Sequence, residues 1–158
     1  MTQRIEFGTH DVMQVCEAVE LSCAELYQYF ACLFKDDREK FLLWTKSAME
    51  EENHARLFAL VGKLRRSNIE FIQYELVEAD VALFYVQALI KKVKKTPPPI
   101  DDALRISIDL KNKMNGFMQE NIIKFAHDSC EQSLLAMTNP GSRGLKSFQE
   151  SYSRVMAA

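Results

Sequence analysis

Two long stretches with apolar residues at helical spacing constrain the fold of this chain more than any other feature. The first, at 9–35, carries an apolar side chain every three or four residues: Val12, Cys16, Val19, Cys23, Tyr27, Phe30 and Phe34. The second, at 37–66, continues the spacing through Phe41, Trp44, Ala48, Ala55, Phe58 and Leu64. Asp36 and Glu39 stand where a capping box would open that second helix. Since so few residues join them, we expect the two helices to lie antiparallel.

The rest of the chain predicts a second pair of helices, at about 100–128 and 142–156. Between the pairs, the segment 68–99 forms a long crossover, in which the apolar block 81–90 predicts a short helix that Thr96-Pro-Pro-Pro99 ends. The breaker Asn139-Pro-Gly-Ser142 predicts that the last helix is short or broken. A chain of 158 residues is expected to form one core. The prediction is a single all-α domain, 1–158, built as a four-helix bundle with a long crossover.

Composition excludes several classes of protein. Hydrophobic residues make up 47% with only five Gly, which excludes a disordered chain. The net charge of −2 offers no basic excess for nucleic acid. With no leader-like start and no membrane-length apolar run, we expect a cytoplasmic protein without a membrane partner. The apolar strip beside Phe84, Tyr85 and Leu89 either supports a homodimer or is buried on the chain's own bundle.

Charged residues interrupt the apolar stripes at a few positions. Glu20 falls between Cys16 and Cys23, and Glu51 falls between Ala48 and Ala55 with His54 one turn later, so that a carboxylate and an imidazole lie side by side at metal-ligand spacing. Lys111 stands mid-stripe on the helix at 100–128, and Glu17 precedes Glu20 by one turn, as either a supporting acid or a solvated surface carboxylate. A charge on an inward face must be paired, protonated or bound to a cation.

Two segments carry a resemblance to a known family. Cys16-Glu-Ala-Val-Glu20-Leu-Ser-Cys-Ala-Glu-Leu-Tyr27 and Met49-Glu-Glu51-Glu-Asn-His54 resemble the first helix pair of the rubrerythrin-like branch of the ferritin-like superfamily, and the likeness extends over about 12–125. The resemblance implies a ferritin-like four-helix bundle with a di-iron carboxylate site, metal ligands at Glu20, Glu51 and His54, and Tyr27 near the metal.

The second half departs from that family. The second single Glu is expected at position 111, which is a lysine, and residues 133–148 contain no Glu-x-x-His. The cysteine pairs of a rubredoxin-type domain are also absent from the sequence. Two carboxylates, one of them offset by Lys111, do not balance two ferrous ions. We hypothesise that Lys111 replaces the missing metal charge with its ammonium close to Glu20 or Glu51; the alternative is a lysine whose head reaches water.

Three functions remain open from the sequence. The first is a vestigial or single-metal ferritin-like protein that binds at most one iron, zinc or manganese ion, with low or no di-iron redox activity. The second is an active di-iron oxidoreductase acting on peroxide or oxygen, with an unknown redox partner. The third is a non-catalytic structural or interaction module in which the site is an internal Glu-Lys ion pair and no metal binds.

Overall fold

The computed structural model describes residues 9–64, 73–123 and 141–158, and its regular structure in these ranges is entirely α-helical. The helices are α1 (Thr9–Leu33), α2 (Arg38–Leu64), α3 (Gln73–Lys95), α4 (Ile100–Ile123) and α5 (Gly141–Ala157). The prediction of an all-α chain is therefore confirmed. The ends predicted at 9–35 and 142–156 agree within two residues. Asn139 and Pro140, which predicted a break before the last helix, lie outside the described residues.

The boundaries of α2 and α4 are set by local chemistry. Asp37 caps α2, because its Oδ1 accepts the backbone N–H of Lys40 at 3.2 Å and its carbonyl accepts that of Phe41 at 2.8 Å. The prediction that Asp36 caps this helix was wrong by one residue. The carbonyl of Pro99 accepts the first hydrogen bond of α4, from Ala103 at 2.9 Å, so the proline run ends α3 and opens α4.

Helix α3 is longer than the short helix predicted for the crossover. It has 23 residues and begins at Gln73, eight residues before the apolar block. Its first turns are rich in Gln, Glu, Leu and Ala, which favour a helix by intrinsic propensity without an apolar stripe. The helix buries Val86, Ile90 and Val93, while Phe84 keeps 74% of its surface exposed. Whether a second copy of the chain covers that strip stays a prediction.

Contacts between side chains fix the relative directions of α1, α2 and α4. The ring of Phe34 stacks on Trp44 with centroids 5.3 Å apart, and Glu20, further back on α1, faces His54 further along α2. Helices α1 and α2 therefore run antiparallel, as predicted. Trp44 Nε1 donates to Ser107 Oγ at 2.9 Å, and seven residues later on α2 the Glu51 carboxylate contacts Lys111 of α4. The residue numbers of the contacting side chains increase together on the two helices, so α2 and α4 run in the same direction.

Helix α5 runs against both α2 and α4. Arg154 Nη2 lies 2.7 Å from Glu39 Oε1 near the start of α2, whereas Gly144, at the other end of α5, lies beside Glu50. The neighbouring Tyr152, also near the end of α5, raises the pKa of the Arg105 guanidinium on α4. The N-terminal part of α5 is thereby brought to the middle of α2 and α4.

One apolar core lies between these helices. Trp44 packs against the rings of Phe30 and Phe148, and Phe148 also contacts Tyr27 at a centroid distance of 5.5 Å. Cys16 and Cys23 are buried apolar side chains. Within the described ranges, no helix has the length and apolar character that a membrane span requires. The aromatic core occupies one part of the interior, and the charged residues of the sequence analysis occupy the part next to it.

Candidate metal centre

Four charged or titratable side chains meet in the interior, next to the aromatic core. Glu20 is on α1, Glu51 and His54 are one turn apart on α2, and Lys111 is on α4. Their exposed fractions are 1%, 5%, 7% and 3%. They meet because each occupies an inward position of its helix, and these helices cross the same core.

The geometry of Glu20, Glu51 and His54 matches the spacing of ligands around one metal ion. His54 Nδ1 lies 3.6 Å from Glu20 Oε2 and 3.4 Å from Glu51 Oε2, and one ligand atom from each residue lies within 4.8 Å of the others. An N–H···O hydrogen bond has its optimum at ~2.9 Å. Ligand atoms bound tetrahedrally at ~2.1 Å are instead ~3.4 Å apart. The two distances from His54 Nδ1 are thus long for hydrogen bonds. They are close to the ligand-to-ligand distance of a tetrahedral metal site.

The carboxyl group of Glu20 lacks hydrogen-bond partners among the described residues. Both of its oxygens are buried and neither accepts or donates a hydrogen bond. Leaving such a group unsatisfied in the interior costs ~1–3 kcal/mol, and more when it is charged. A cation held between Glu20 and His54 would satisfy this carboxylate.

Lys111 lies against the same group. Its ammonium donates a hydrogen bond to Glu51 Oε1 and lies 3.9 Å from Glu50 Oε2. The ammonium is also 5.3 Å from the centroid of the Tyr27 ring, within the range of a cation–π contact. The alternative in which the head of Lys111 reaches water is wrong, because the whole residue is only 3% exposed.

The pKa values are shifted in directions that balance charge in the group. Burial raises the pKa of Glu20 well above its usual range, and the neighbouring Glu51 carboxylate raises it further. Burial also acts to raise the pKa of Glu51, but the contacts with Glu20, His54 and Lys111 outweigh it and lower that pKa. The pKa of His54 rises to about 9: burial acts to lower it, and the two carboxylates outweigh burial.

The resulting charge state pairs Lys111 with Glu51 and leaves one proton for the other two groups. For Lys111, burial acts to lower the pKa and the charge of Glu51 raises it above the usual value. The remaining proton resides on either Glu20 or His54. In both cases the group is neutral as a whole, which is the condition for burying four ionisable side chains together.

The structure separates the two remaining predicted site residues. Tyr27 is buried beside the site, with its ring facing the Lys111 ammonium. Glu17 is half-buried and lines a groove on the outer side of α1 and α2 together with Glu25, Glu52 and Arg56. Glu17 is not a member of the buried Glu20, Glu51 and His54 group.

Two site neighbours escaped the sequence analysis. Gly144 of α5 is buried against Lys111, and a Cβ atom at this position would lie 3.1 Å from the Lys111 Nζ. Glu50 reaches the same ammonium from α2, although its position in the run Glu50-Glu51-Glu52 is typical of a solvated face. The signal for Gly144 was present, because an isolated glycine inside a helical pattern loses ~1 kcal/mol relative to Ala unless packing requires it.

Among the residues that the structure describes, the donors fit one metal ion and do not fit two. The first helix pair supplies Glu20, Glu51 and His54, whereas α4 and α5 present Lys111 and Gly144, neither of which supplies the oxygen or imidazole ligands of a di-iron site. Comparison with known proteins found no matching family model, no similar curated protein and no similar solved structure.

Proposed function

We propose that this chain is a ferritin-like helical protein that binds a single divalent metal ion through Glu20, Glu51 and His54. The observation that carries the proposal is the buried Glu20 carboxyl group, whose oxygens have no hydrogen-bond partner while an imidazole stands 3.6 Å away. Three protein ligands with one open position are typical of a catalytic or transport site, whereas structural sites are closed by four.

The directions of the helices support the ferritin-like part of the proposal. Helix α1 is antiparallel to α2, α4 is parallel to α2, and α5 is antiparallel to α4, by the contacts described above. A connection between two parallel helices must traverse their whole length. One such long crossover distinguishes ferritin-like bundles from bundles with only short loops.

Charge limits the site to one ion. A divalent ion bound by two carboxylates beside the Lys111 ammonium leaves a net charge of about +1 in the interior, and a second divalent ion would raise it to about +3. We therefore expect little or no di-iron redox activity. The tetrahedral spacing favours zinc over manganese and iron, which more often take additional ligands.

A second candidate function is favoured by the contact between Lys111 and Glu51. This buried ion pair neutralises Glu51 without any metal, so the chain would be a helical interaction module whose charged group is purely internal. In that case the proton shared by Glu20 and His54 completes the neutralisation.

Metal analysis tests the two functions against each other. The full chain is purified without chelator, its metal content is measured by elemental mass spectrometry, and zinc and manganese are then titrated calorimetrically. We expect one ion per chain, and at least ~100-fold weaker binding in Glu20→Gln and His54→Gln. Glu17→Gln is the matched control, because it removes a carboxylate one turn from Glu20 but outside the group, and its affinity should be unchanged.

Each result has one interpretation. Two ions per chain would contradict the single-metal proposal and favour the di-iron enzyme. No binding of iron, zinc or manganese would favour the interaction module. A loss of affinity in Glu17→Gln with none in Glu20→Gln would show that metal binds the outer groove of α1 and α2 rather than the interior.

A further inference from the structure

Gly144 is the point where α5 meets the charged group. It lies in the first turns of α5 and is buried, although glycine is among the poorest residues for a helix interior. A Cβ atom there would lie 3.1 Å from Lys111 Nζ, 3.2 Å from Lys111 Cε and 3.1 Å from Glu50 Oε2. Charged side chains from two other helices thus converge on one backbone position.

The ammonium of Lys111 is held by contacts on several sides, so it cannot move far if position 144 carries a larger residue. Glu51 accepts its hydrogen bond on one side, the Tyr27 ring lies on another, and the residue is 3% exposed. Contacts of 3.1–3.2 Å with a methyl group are closer than ordinary van der Waals contacts of ~3.5–4.0 Å. A side chain at position 144 would therefore require the Lys111 head to shift by a few tenths of an ångström, which disturbs its contact with Glu51.

We propose that Gly144 is a positioning residue that seats the Lys111 ammonium beside Glu51 and so lowers the affinity of the site for metal. The metal part of this inference rests on the proposed function; the seating of Lys111 does not. In a di-metal bundle each of two helices supplies one Glu, and each of the other two supplies a Glu-x-x-His pair. Here α1 and α2 supply their ligands. At the positions next to the site, α4 supplies the Lys111 ammonium, and α5 supplies Gly144, whose lack of a side chain leaves room for that ammonium.

A double-mutant cycle tests the seating of Lys111 in the full chain. The proteins are the wild type, Gly144→Ala, Lys111→Leu and the double variant, where leucine removes both lysine atoms that the new Cβ would meet. In the presence of chelator, Gly144→Ala should lower the Tm of the wild type by at least ~3 °C. In the Lys111→Leu background the same change should raise the Tm by ~2–4 °C, because the remaining neighbour, the partly exposed Glu50 carboxylate, can move towards solvent and alanine favours the helix.

A second measurement separates positioning from simple packing. Cobalt(II) replaces zinc as a visible-absorption probe and is titrated into all four proteins. Gly144→Ala should tighten cobalt binding about 10-fold, because the displaced ammonium no longer competes for Glu51, and should have no further effect in the Lys111→Leu background. Ser153→Ala, at an exposed position of α5, is the matched control and should leave cobalt affinity unchanged.

Three outcomes decide the inference. An equal rise in Tm in both backgrounds would overturn the seating of Lys111 by Gly144. A fall in Tm with unchanged cobalt affinity would overturn its influence on the metal and leave a packing role. If none of the proteins binds cobalt, the metal part fails together with the proposed function, while a reversal of the Tm effect between backgrounds would still support the seating.

Discussion

Replacing Lys111 by methionine should weaken the metal-free protein and strengthen its hold on metal. Methionine preserves most of the volume of the side chain and removes only the buried charge, so packing against Tyr27 and Gly144 changes little. The carboxylate of Glu51, which is 5% exposed, then loses its closest cation. The two opposite effects arise from the same ammonium, which makes the prediction sensitive to its position.

The loss of stability follows from the buried ion pair. Removing one partner of such a pair costs ~3–5 kcal/mol, and the imidazole of His54, 3.4 Å from Glu51, places the value near the lower end at ~3 kcal/mol. For a chain of 158 residues this corresponds to a fall in Tm of ~6–12 °C in the presence of chelator.

The gain in affinity follows from removing a like charge. Glu51 contacts the ammonium through Oε1 and faces His54 through Oε2, so a metal ion on Oε2 would stand ~5 Å from the ammonium. Because the Glu20 carboxylate offsets one of the two charges of a divalent ion, the ammonium faces about one net unit charge. Two unit charges at that separation repel by ~3 kcal/mol at an effective dielectric constant of ~20, which corresponds to roughly 100-fold in affinity. Saturating metal should therefore raise the free energy of unfolding of the variant by ~2.7 kcal/mol more than that of the wild type.

Urea denaturation with chelator and with saturating zinc measures both effects. The difference in unfolding free energy between wild type and Lys111→Met should be ~3 kcal/mol with chelator and below ~1 kcal/mol with zinc. The control is Lys113→Met, which removes an exposed lysine of the same helix. Its ammonium lies 4.0 Å from the centroid of the Tyr85 ring, so the change should cost ~1 kcal/mol or less and equally in both conditions. An equal difference in both conditions for Lys111→Met would refute the placement of the ammonium beside the metal.

Three further changes test other parts of the structure. Lys111→Glu should destabilise the chelated protein more than Lys111→Met and raise metal affinity further, since three acids would face one another, and unchanged stability and uptake in calorimetry would argue against a buried position. The pKa of His54 is raised to about 9, so its charged form contributes stability that is complete below pH ~6.5 and is lost as the pH rises through 9; the chelated wild type should lose roughly 2–3 kcal/mol over that range and His54→Gln much less, by urea denaturation. Asp37→Ala should lower Tm by ~2–4 °C because the cap on Lys40 N–H is lost, whereas an equal effect of Asp36→Ala would contradict the assignment of the cap.

The helices themselves could be predicted because their signals are local. Apolar periodicity, the proline run before α4 and the acidic start of α2 depend only on neighbouring residues. The predicted bounds of the four bundle helices were within two residues wherever they can be compared, and the ends predicted at 66 and 128 lie outside the described residues. The misplaced cap shows the limit of such signals, since Asp36 and Asp37 are chemically equivalent and only the path of the backbone selects one. The length of α3 was missed because intrinsic propensity extended the helix beyond its apolar stripe.

The candidate site was partly visible in the sequence. The burial of Glu20 and Glu51 was expected, because a charge in the middle of an apolar stripe must face the interior. For Lys111 the sequence left open whether the ammonium lies at the site or reaches water. Two neighbours of these residues, Glu50 and Gly144, were not predicted from the sequence. Glu50 belongs to the run Glu50-Glu51-Glu52, which is typical of a solvated face, and Gly144 lies near a predicted break and has no functional group.

Sequence alone predicted the helices of the described ranges and the inward positions of Glu20, Glu51 and His54, because both depend on spacing along a single helix. The tertiary structure decided that Lys111 selects Glu51 rather than Glu20, that the oxygens of Glu20 are left without a partner, and that Gly144 provides the space for the ammonium. These features depend on the register and direction in which separate helices pack. Such packing sums many weak contacts between residues far apart in the chain, and no local pattern records it.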